Sequence, residues 1–209
     1  MAIYDKTQTI DSFLAATAAK QPTPGGGSVA ALAAALAASM GEMVVNYSIG
    51  KKDLAEHQDQ LAEALTELSR ARHILLELMV EDQAAYEALS AARKLPPNDP
   101  DRAATFDAAL LACIRVPQAV GATAAAVLGL CDRLVERVNK HLLSDLAVCA
   151  ELSMATVRCA ACNIRANLQD VADPNERRSF EQAAIRQIAD CVLLVRDVVS
   201  RIWARQGQA

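Results

Sequence analysis

Aromatic residues make up only 3% of the 209-residue chain, which excludes a core organised around large rings. Sustained period-two alternation is missing, and so are Asn-Gly and Asp-Gly pairs. Hairpins and sheets therefore have no local support. Basic residues are not in excess: Lys and Arg number 21 against 25 Asp and Glu, a net charge of −4. That argues against a nucleic-acid partner, which would need a basic face. The three histidines, His57, His73 and His141, lack partners at metal-ligand spacing, and no Ser/His/Asp or Cys/His arrangement stands out. No metal is expected on these grounds. Met1 to Asp11 shows no basic region followed by an apolar core, so no secretion signal is expected. The most apolar stretch, Val29 to Met40, is too short and too rich in alanine to span a bilayer, and reads as a buried core helix. A soluble, cytoplasmic protein with no membrane partner is the expectation.

What the chain does hold is alanine, about a fifth of all residues. Alanine is the strongest helix former and does not favour strands. Its small side chain lets helix axes approach, so close contact replaces aromatic bulk. The six cysteines, Cys113, Cys131, Cys149, Cys159, Cys162 and Cys191, fall within apolar helical stretches. They read as reduced, small core residues. Cys159 and Cys162 form a CxxC, but no second ligand pair and no βαβ pattern accompany it.

Prolines and glycines divide the chain. Helices are expected over about Asp5–Lys20, Ser28–Tyr47, Asp53–Lys94 and Asp101–Val116, from Pro117 to about Val138, over Ser144–Gln169, and from Asp173-Pro174 to about Trp203. Ser28, Asp53 and Ser144 are the expected N-caps. The fold class is thus all-α, an antiparallel bundle of long helices forming one domain over residues 1–209. The alanine-rich set points weakly to a helix-packed homodimer. In the long third helix, Leu54, Leu61, Leu68, Leu75 and Leu89 lie on a seven-residue ladder, an apolar stripe of the kind that faces neighbouring helices. The missing rung is Asp82. Burying a carboxylate there costs several kcal/mol unless it is paired.

Gly25-Gly26-Gly27-Ser28 is the sharpest local feature. Three consecutive glycines imply a need for bare backbone or positive φ. They lead into a helix N-terminus, where free N–H groups favour an anion or a polar ligand edge. The bland alternative is a tight turn between helices. Lys51 and Lys52 follow Gly50 and serve either as C-terminal capping cations or as a cationic site. Asp82 is either a paired structural carboxylate or a general base or acid. Ser144 and Asp145 open a helix, where capping alone would explain them. Asn163 and Asn167 stand four apart on one face; they can bond across helices or read a heterocycle.

Taken together, Pro22-Thr-Pro-Gly-Gly-Gly-Ser28, Ile49-Gly-Lys-Lys52, Asp82-Gln-Ala-Ala-Tyr86, Lys94-Leu95-Pro96, Ser144-Asp-Leu146 and Asn163-Ile-Arg-Ala-Asn-Leu168 occur in the order seen in one family. The chain resembles the cyclodeaminase/cyclohydrolase family of folate enzymes over about residues 10–170. The resemblance implies a dimeric all-helical fold that binds tetrahydrofolate derivatives. It also implies that the glycine turn, the lysine pair, Asp82 and Asp145 lie near the folate. Asp53-Leu54 after the lysine pair and Val138 before Asn139 depart from the family pattern.

The expected reaction is hydrolysis of 5,10-methenyltetrahydrofolate to 10-formyltetrahydrofolate, with Asp82 as base or proton shuttle and Lys52 as charge holder or donor. Gly25, Gly26, Gly27, Ser28, Lys51, Ser144, Asp145, Asn163 and Asn167 are the expected substrate contacts. Neither metal nor organic cofactor is expected. Two alternatives remain: formiminotetrahydrofolate cyclodeamination, which needs the same acid/base pair, and a non-catalytic helical binding or scaffold module.

Overall fold

The computed structural model describes residues 3–207, which form six α-helices and no strand. Residues 1–2 and 208–209, the ends of the expected 1–209 domain and part of the stretch read for a secretion signal, lie outside the described residues. The helices are α1 (Ile10–Ala18), α2 (Gly26–Asn46), α3 (Gln58–Ala92), α4 (Arg102–Leu134), α5 (Leu143–Leu168) and α6 (Pro174–Gln206).

Several starts differ from expectation, each for a local reason. Asp5 does not begin α1: its Oδ1 accepts the Thr7 N–H at 2.7 Å, an Asx turn. The cap is Thr9, which accepts the Ser12 N–H at 3.1 Å. α2 begins before Ser28, with Gly25 as its cap residue, so Ser28 lies inside the first turn. Asp53 caps nothing long, because a 3₁₀ turn over Lys52–His57 precedes α3 and takes Leu54 off the leucine ladder. Ser144 likewise lies within the first turn of α5, behind a 3₁₀ turn over Lys140–Leu142. Asp173 and Pro174 open α6 as expected, Asp173 Oδ1 accepting the Asn175 N–H at 2.9 Å.

Pro117 does not divide α4, which runs unbroken through it. A proline there removes the donor for the carbonyl four residues back. That carbonyl belongs to Cys113, and Asn167 Nδ2 on α5 donates to it at 3.2 Å. A side chain from the neighbouring helix thus replaces the missing backbone donor.

Helices α2, α3, α4 and α5 pack in a closed ring, α2 and α4 each lying between α3 and α5, and α6 covers α5 and α4. Neighbours within the ring run antiparallel. The start of α2 meets the late part of α3 and of α5 at Gly27–Asp82 and Gly26–Asn163, while Arg72 and Glu42 join α3 to α2 at 2.6 Å nearer its other end. Leu61, Leu68 and Leu75 are fully buried, as the ladder predicts. Ala30, Ala31, Ala34, Ala35, Ala37 and Ala38 line the buried side of α2. At Gly41 even a methyl would be tight: its Cβ would fall 2.9 Å from Leu68 Cδ2 and 3.3 Å from Cys149 Sγ. Small residues thereby permit close helix approach.

α2 and α4 are long and apolar enough to cross a membrane, yet each turns an apolar side into the bundle core. Cys113, Cys131, Cys149 and Cys191 are buried, but Cys159 and Cys162 are exposed on α5. The CxxC is therefore a surface pair and not core packing. Among the described residues no cluster of His, Cys, Asp or Glu could hold a metal ion.

Candidate active site

At one end of the bundle, α2, α3, α4 and α5 enclose a cleft of about 290 Å³. Its walls include Thr23, Gly25, Gly26 and Gly27 from the turn into α2, Asp82 and Tyr86 from α3, Cys113 and Pro117 from α4, and Asn163 and Asn167 from α5. A larger hollow of the surface, beside Asp5, His73 and Glu81, holds about 380 Å³ but none of the expected site residues.

Asp82 occupies the rung that the leucine ladder leaves open, and it faces the N-terminus of α2. The Ser28 hydroxyl donates to Asp82 Oδ2 at 2.8 Å. Gly25, the cap residue of α2, offers no side-chain bond, so a carboxylate from another helix takes the capping position. Burial raises the Asp82 pKa above the ordinary carboxylate value of 3.8, and hydrogen bonds from the Ser28 side chain and backbone oppose that rise. No cation pairs with Asp82 among the described residues. The structural reading of Asp82 as half of an ion pair is thus replaced by a carboxylate held by a helix start.

The glycines matter for close approach, not for positive φ. Only Gly50, with φ of 78°, is left-handed among the described residues. A Cβ on Gly27 would lie 1.9 Å from Asp82 Oδ1, so glycine is required there for the carboxylate to reach the helix start. A Cβ on Gly26 would lie 3.0 Å from Asn163 Oδ1, while one on Gly25 would touch only the Pro22 carbonyl at 3.7 Å.

The asparagines do bond across and along helices. Asn163 Nδ2 donates to the Cys159 carbonyl at 3.0 Å, and Asn167 Nδ2 to the Asn163 and Cys113 carbonyls at 3.0 and 3.2 Å. Both asparagines line the cleft, and their Oδ1 atoms receive no hydrogen bond among the described residues.

Thr23 had no place among the expected contacts. It is 2% exposed, and its Oγ1 has no hydrogen-bond partner among the described residues. A buried hydroxyl left unpaired on a cleft wall calls for a ligand or water partner. Tyr86, 41% exposed, and Cys113 also line the cleft. Burial pushes the Cys113 thiol up to about 11, which makes it a poor nucleophile at neutral pH. The only signal for Thr23 was its position within the proline-glycine motif.

Within one chain the structure brings together Gly25, Gly26, Gly27, Ser28, Asp82, Asn163 and Asn167. It does not bring Lys51, Lys52, Ser144 and Asp145 to them. Both lysines follow the far end of α2, a helix of 21 residues, which at 1.5 Å per residue is about 30 Å long. Ser144 and Asp145 share that far end, since the Asn139 N–H just before them donates to Ser48 Oγ at 2.9 Å.

The formiminotransferase-cyclodeaminase family pattern matches residues 9–186. The methenyltetrahydrofolate cyclohydrolase of Methylorubrum extorquens is 31% identical over 185 residues, 87% of each chain. The formimidoyltransferase-cyclodeaminase of Gallus gallus is 28% identical over 188 residues, 88% of this chain but 35% of that protein. A crystal structure of a formiminotetrahydrofolate cyclodeaminase from Thermotoga maritima superposes with a TM-score of 0.81, covering 96% of both chains at 23% identity.

Proposed function

We propose that this chain, which belongs to the formiminotransferase-cyclodeaminase family, hydrolyses 5,10-methenyltetrahydrofolate to 10-formyltetrahydrofolate. The observation that carries the reading is Asp82, a carboxylate of raised pKa with no cationic partner, facing a cleft floored by bare backbone. Similarity to a cyclohydrolase along nearly the whole of both chains favours water over ammonia chemistry.

The substrate carbon bridges N5 and N10 in an electron-poor amidinium. Water adds to it as Asp82 accepts a proton, giving a neutral tetrahedral adduct. The C–N5 bond then breaks while N5 gains a proton and the adduct hydroxyl loses one to become the formyl oxygen. One proton is released overall. A base of raised pKa can accept and return protons close to neutral pH. Asn163 and Asn167 Oδ1 suit the N–H groups of a pterin edge, and the Thr23 hydroxyl suits one further polar atom. Lys52 as charge holder or donor, and Lys51, Ser144 and Asp145 as further contacts, reach the cleft only from a second copy of the chain, since within one chain they lie at the far end of α2. Neither metal nor organic cofactor has a part in these steps.

A homodimer in the cytoplasm belongs to the same proposal. The second reading is cyclodeamination of formiminotetrahydrofolate, in which N10 attacks the formimino carbon and ammonia leaves. It is favoured by the similarity to the Gallus gallus protein, although this chain spans about a third of that length. Purified protein offered each folate in turn, with the methenyl absorbance followed, tests both. Loss of absorbance from the methenyl compound at rates above the buffer blank supports the cyclohydrolase; gain of absorbance from the formimino compound alone overturns it.

A further inference from the structure

Pro117 stands where a helix tolerates proline least. It is buried in the interior of α4, and it lines the cleft together with Cys113 and Asn167. Proline there lacks the N–H and crowds the carbonyl four residues back. An alanine at 117, in a chain that packs its helices with alanine, would donate to the Cys113 carbonyl from its own backbone. No second residue would then be needed. The Pro117–Asn167 pair therefore costs the fold more than the simple solution, and its position on the cleft wall suggests what it does instead.

The substitute donor restricts what Asn167 can offer a ligand. A side-chain amide has two donor hydrogens and one acceptor oxygen. Asn167 Nδ2 donates to the Cys113 carbonyl at 3.2 Å and to the Asn163 carbonyl at 3.0 Å, so both hydrogens are taken. The reverse orientation is excluded, because Oδ1 would then face two carbonyl oxygens. The Asn163 carbonyl lies one turn back on the same helix. The Cys113 carbonyl belongs to α4, and it lacks a backbone donor only because residue 117 is proline. What remains to Asn167 is Oδ1, which receives no hydrogen bond among the described residues.

We infer that Pro117 is a positioning residue: by leaving the Cys113 carbonyl without a backbone donor, it fixes the Asn167 amide so that only its oxygen is available to the ligand. Asn167 is thereby an acceptor-only contact, selective for an N–H of the substrate. Assigning that N–H to a pterin edge rests on the folate reading; the fixing of the amide by Pro117 does not. With alanine at 117 the new N–H takes the Cys113 carbonyl. Nδ2 then loses its partner on α4, and the amide turns to present N–H to N–H in part of the population. A site built around a hydrogen bond discriminates strongly when one partner is wrong.

Two experiments keep the pair and its ligand apart. Pro117→Ala restores a backbone hydrogen bond, so its melting temperature rises. Its Kd for tetrahydrofolate, by isothermal titration, rises by roughly 2- to 10-fold. With whichever folate the wild type converts, KM rises in the same ratio and kcat moves less. A more stable variant with Kd and KM unchanged overturns the proposal. So does a lower melting temperature, which would make Pro117 a packing residue. The second experiment needs no ligand. Asn167→Leu is placed in the wild-type chain and in Pro117→Ala. In the first it strands the Cys113 carbonyl; in the second the N–H at 117 already occupies that carbonyl. The fall in melting temperature caused by Asn167→Leu is therefore smaller in Pro117→Ala. Equal falls in both backgrounds overturn the coupling whatever the ligand is. A wild type that binds no tetrahydrofolate overturns the folate reading and the pterin assignment with it, while the melts decide on the Pro117–Asn167 pair separately.

Discussion

The Ser28 hydroxyl donates to Asp82 Oδ2 at 2.8 Å, joining two residues 54 positions apart. This contact fixes the first turn of α2 against the open rung of the α3 ladder. It also balances the carboxylate: burial raises its pKa, and the Ser28 bonds pull it back. A carboxylate at a helix start is favoured by the helix dipole. Here burial still dominates, so the group is held charged at neutral pH with less ease than an exposed one, which suits a proton acceptor.

Asp82→Asn keeps the shape and an acceptor for Ser28 while removing the ionisable group. If Asp82 is the base, kcat falls by about 10² or more, with Kd for the folate little changed. Stability changes in the opposite sense from that of a broken ion pair. The native pKa lies above the unfolded one of about 3.8, so the folded chain holds its proton longer, and wild type loses stability as pH rises through that interval. Asp82→Asn lacks this loss. Urea melts at acid and neutral pH should show the variant gaining on wild type as pH increases. A variant that is less stable at neutral pH would point to a cationic partner after all.

Ser28→Ala removes a hydrogen bond that lowers the Asp82 pKa. The acid limb of the kcat profile therefore moves to higher pH, because the base must be ionised to act. Rates on the alkaline side of the limb stay closer to wild type. A profile that drops uniformly without moving would mean that Ser28 only supports the fold.

Gly27→Ala and Gly26→Ala separate close approach from mere helix initiation. The new methyl at position 27 would meet Asp82 Oδ1 at 1.9 Å, so the carboxylate must swing away; at position 26 it meets the end of the Asn163 side chain at 3.0 Å, which can yield. Displacing a catalytic group by roughly 1 Å can cost about 10² in rate. Gly27→Ala should lose activity on that scale and Gly26→Ala much less, while both retain helicity, since alanine favours a helix by up to about 1 kcal/mol over glycine. Circular dichroism beside steady-state kinetics reads both. Equal losses for the two variants would refute the account.

The helical class, the leucine ladder and the exceptional position of Asp82 were legible in the sequence because each rests on periodicity along one helix. The cap that Asp82 gives to α2 was not, because it joins elements 54 residues apart. Local cap rules put Ser28 outside the helix, whereas a capping carboxylate from α3 lets α2 begin earlier. Local rules place a helix start at Pro117. Its tolerance depends on Asn167 supplying a donor to the Cys113 carbonyl, a relationship that no local rule contains. The sequence motifs put Lys52 and Asp82 in one site; α2, 21 residues long, separates them within a chain, and only the fold reveals that distance.

Thr23→Val tests whether the unpaired hydroxyl on the cleft wall belongs to a ligand. Thr23 Oγ1 is buried and has no hydrogen-bond partner among the described residues, and the residue is 2% exposed. Valine has the same branched shape without the hydroxyl. A buried polar group lacking a partner carries a desolvation penalty of about 1–3 kcal/mol. Replacing it should leave the apo protein unchanged or more stable in a thermal melt. In the ligand complex the balance reverses, because a hydrogen bond to the hydroxyl contributes about 0.5–1.5 kcal/mol net. Folate Kd should therefore rise by roughly 2- to 12-fold, with kcat nearly unaffected, since Thr23 lies on the binding wall and not at the proton acceptor. Isothermal titration with the wild-type and variant proteins separates the cases. Tighter binding together with higher stability would mean that no ligand atom uses the hydroxyl; weaker binding with lower stability would mean that an ordered water already satisfied it in the free protein.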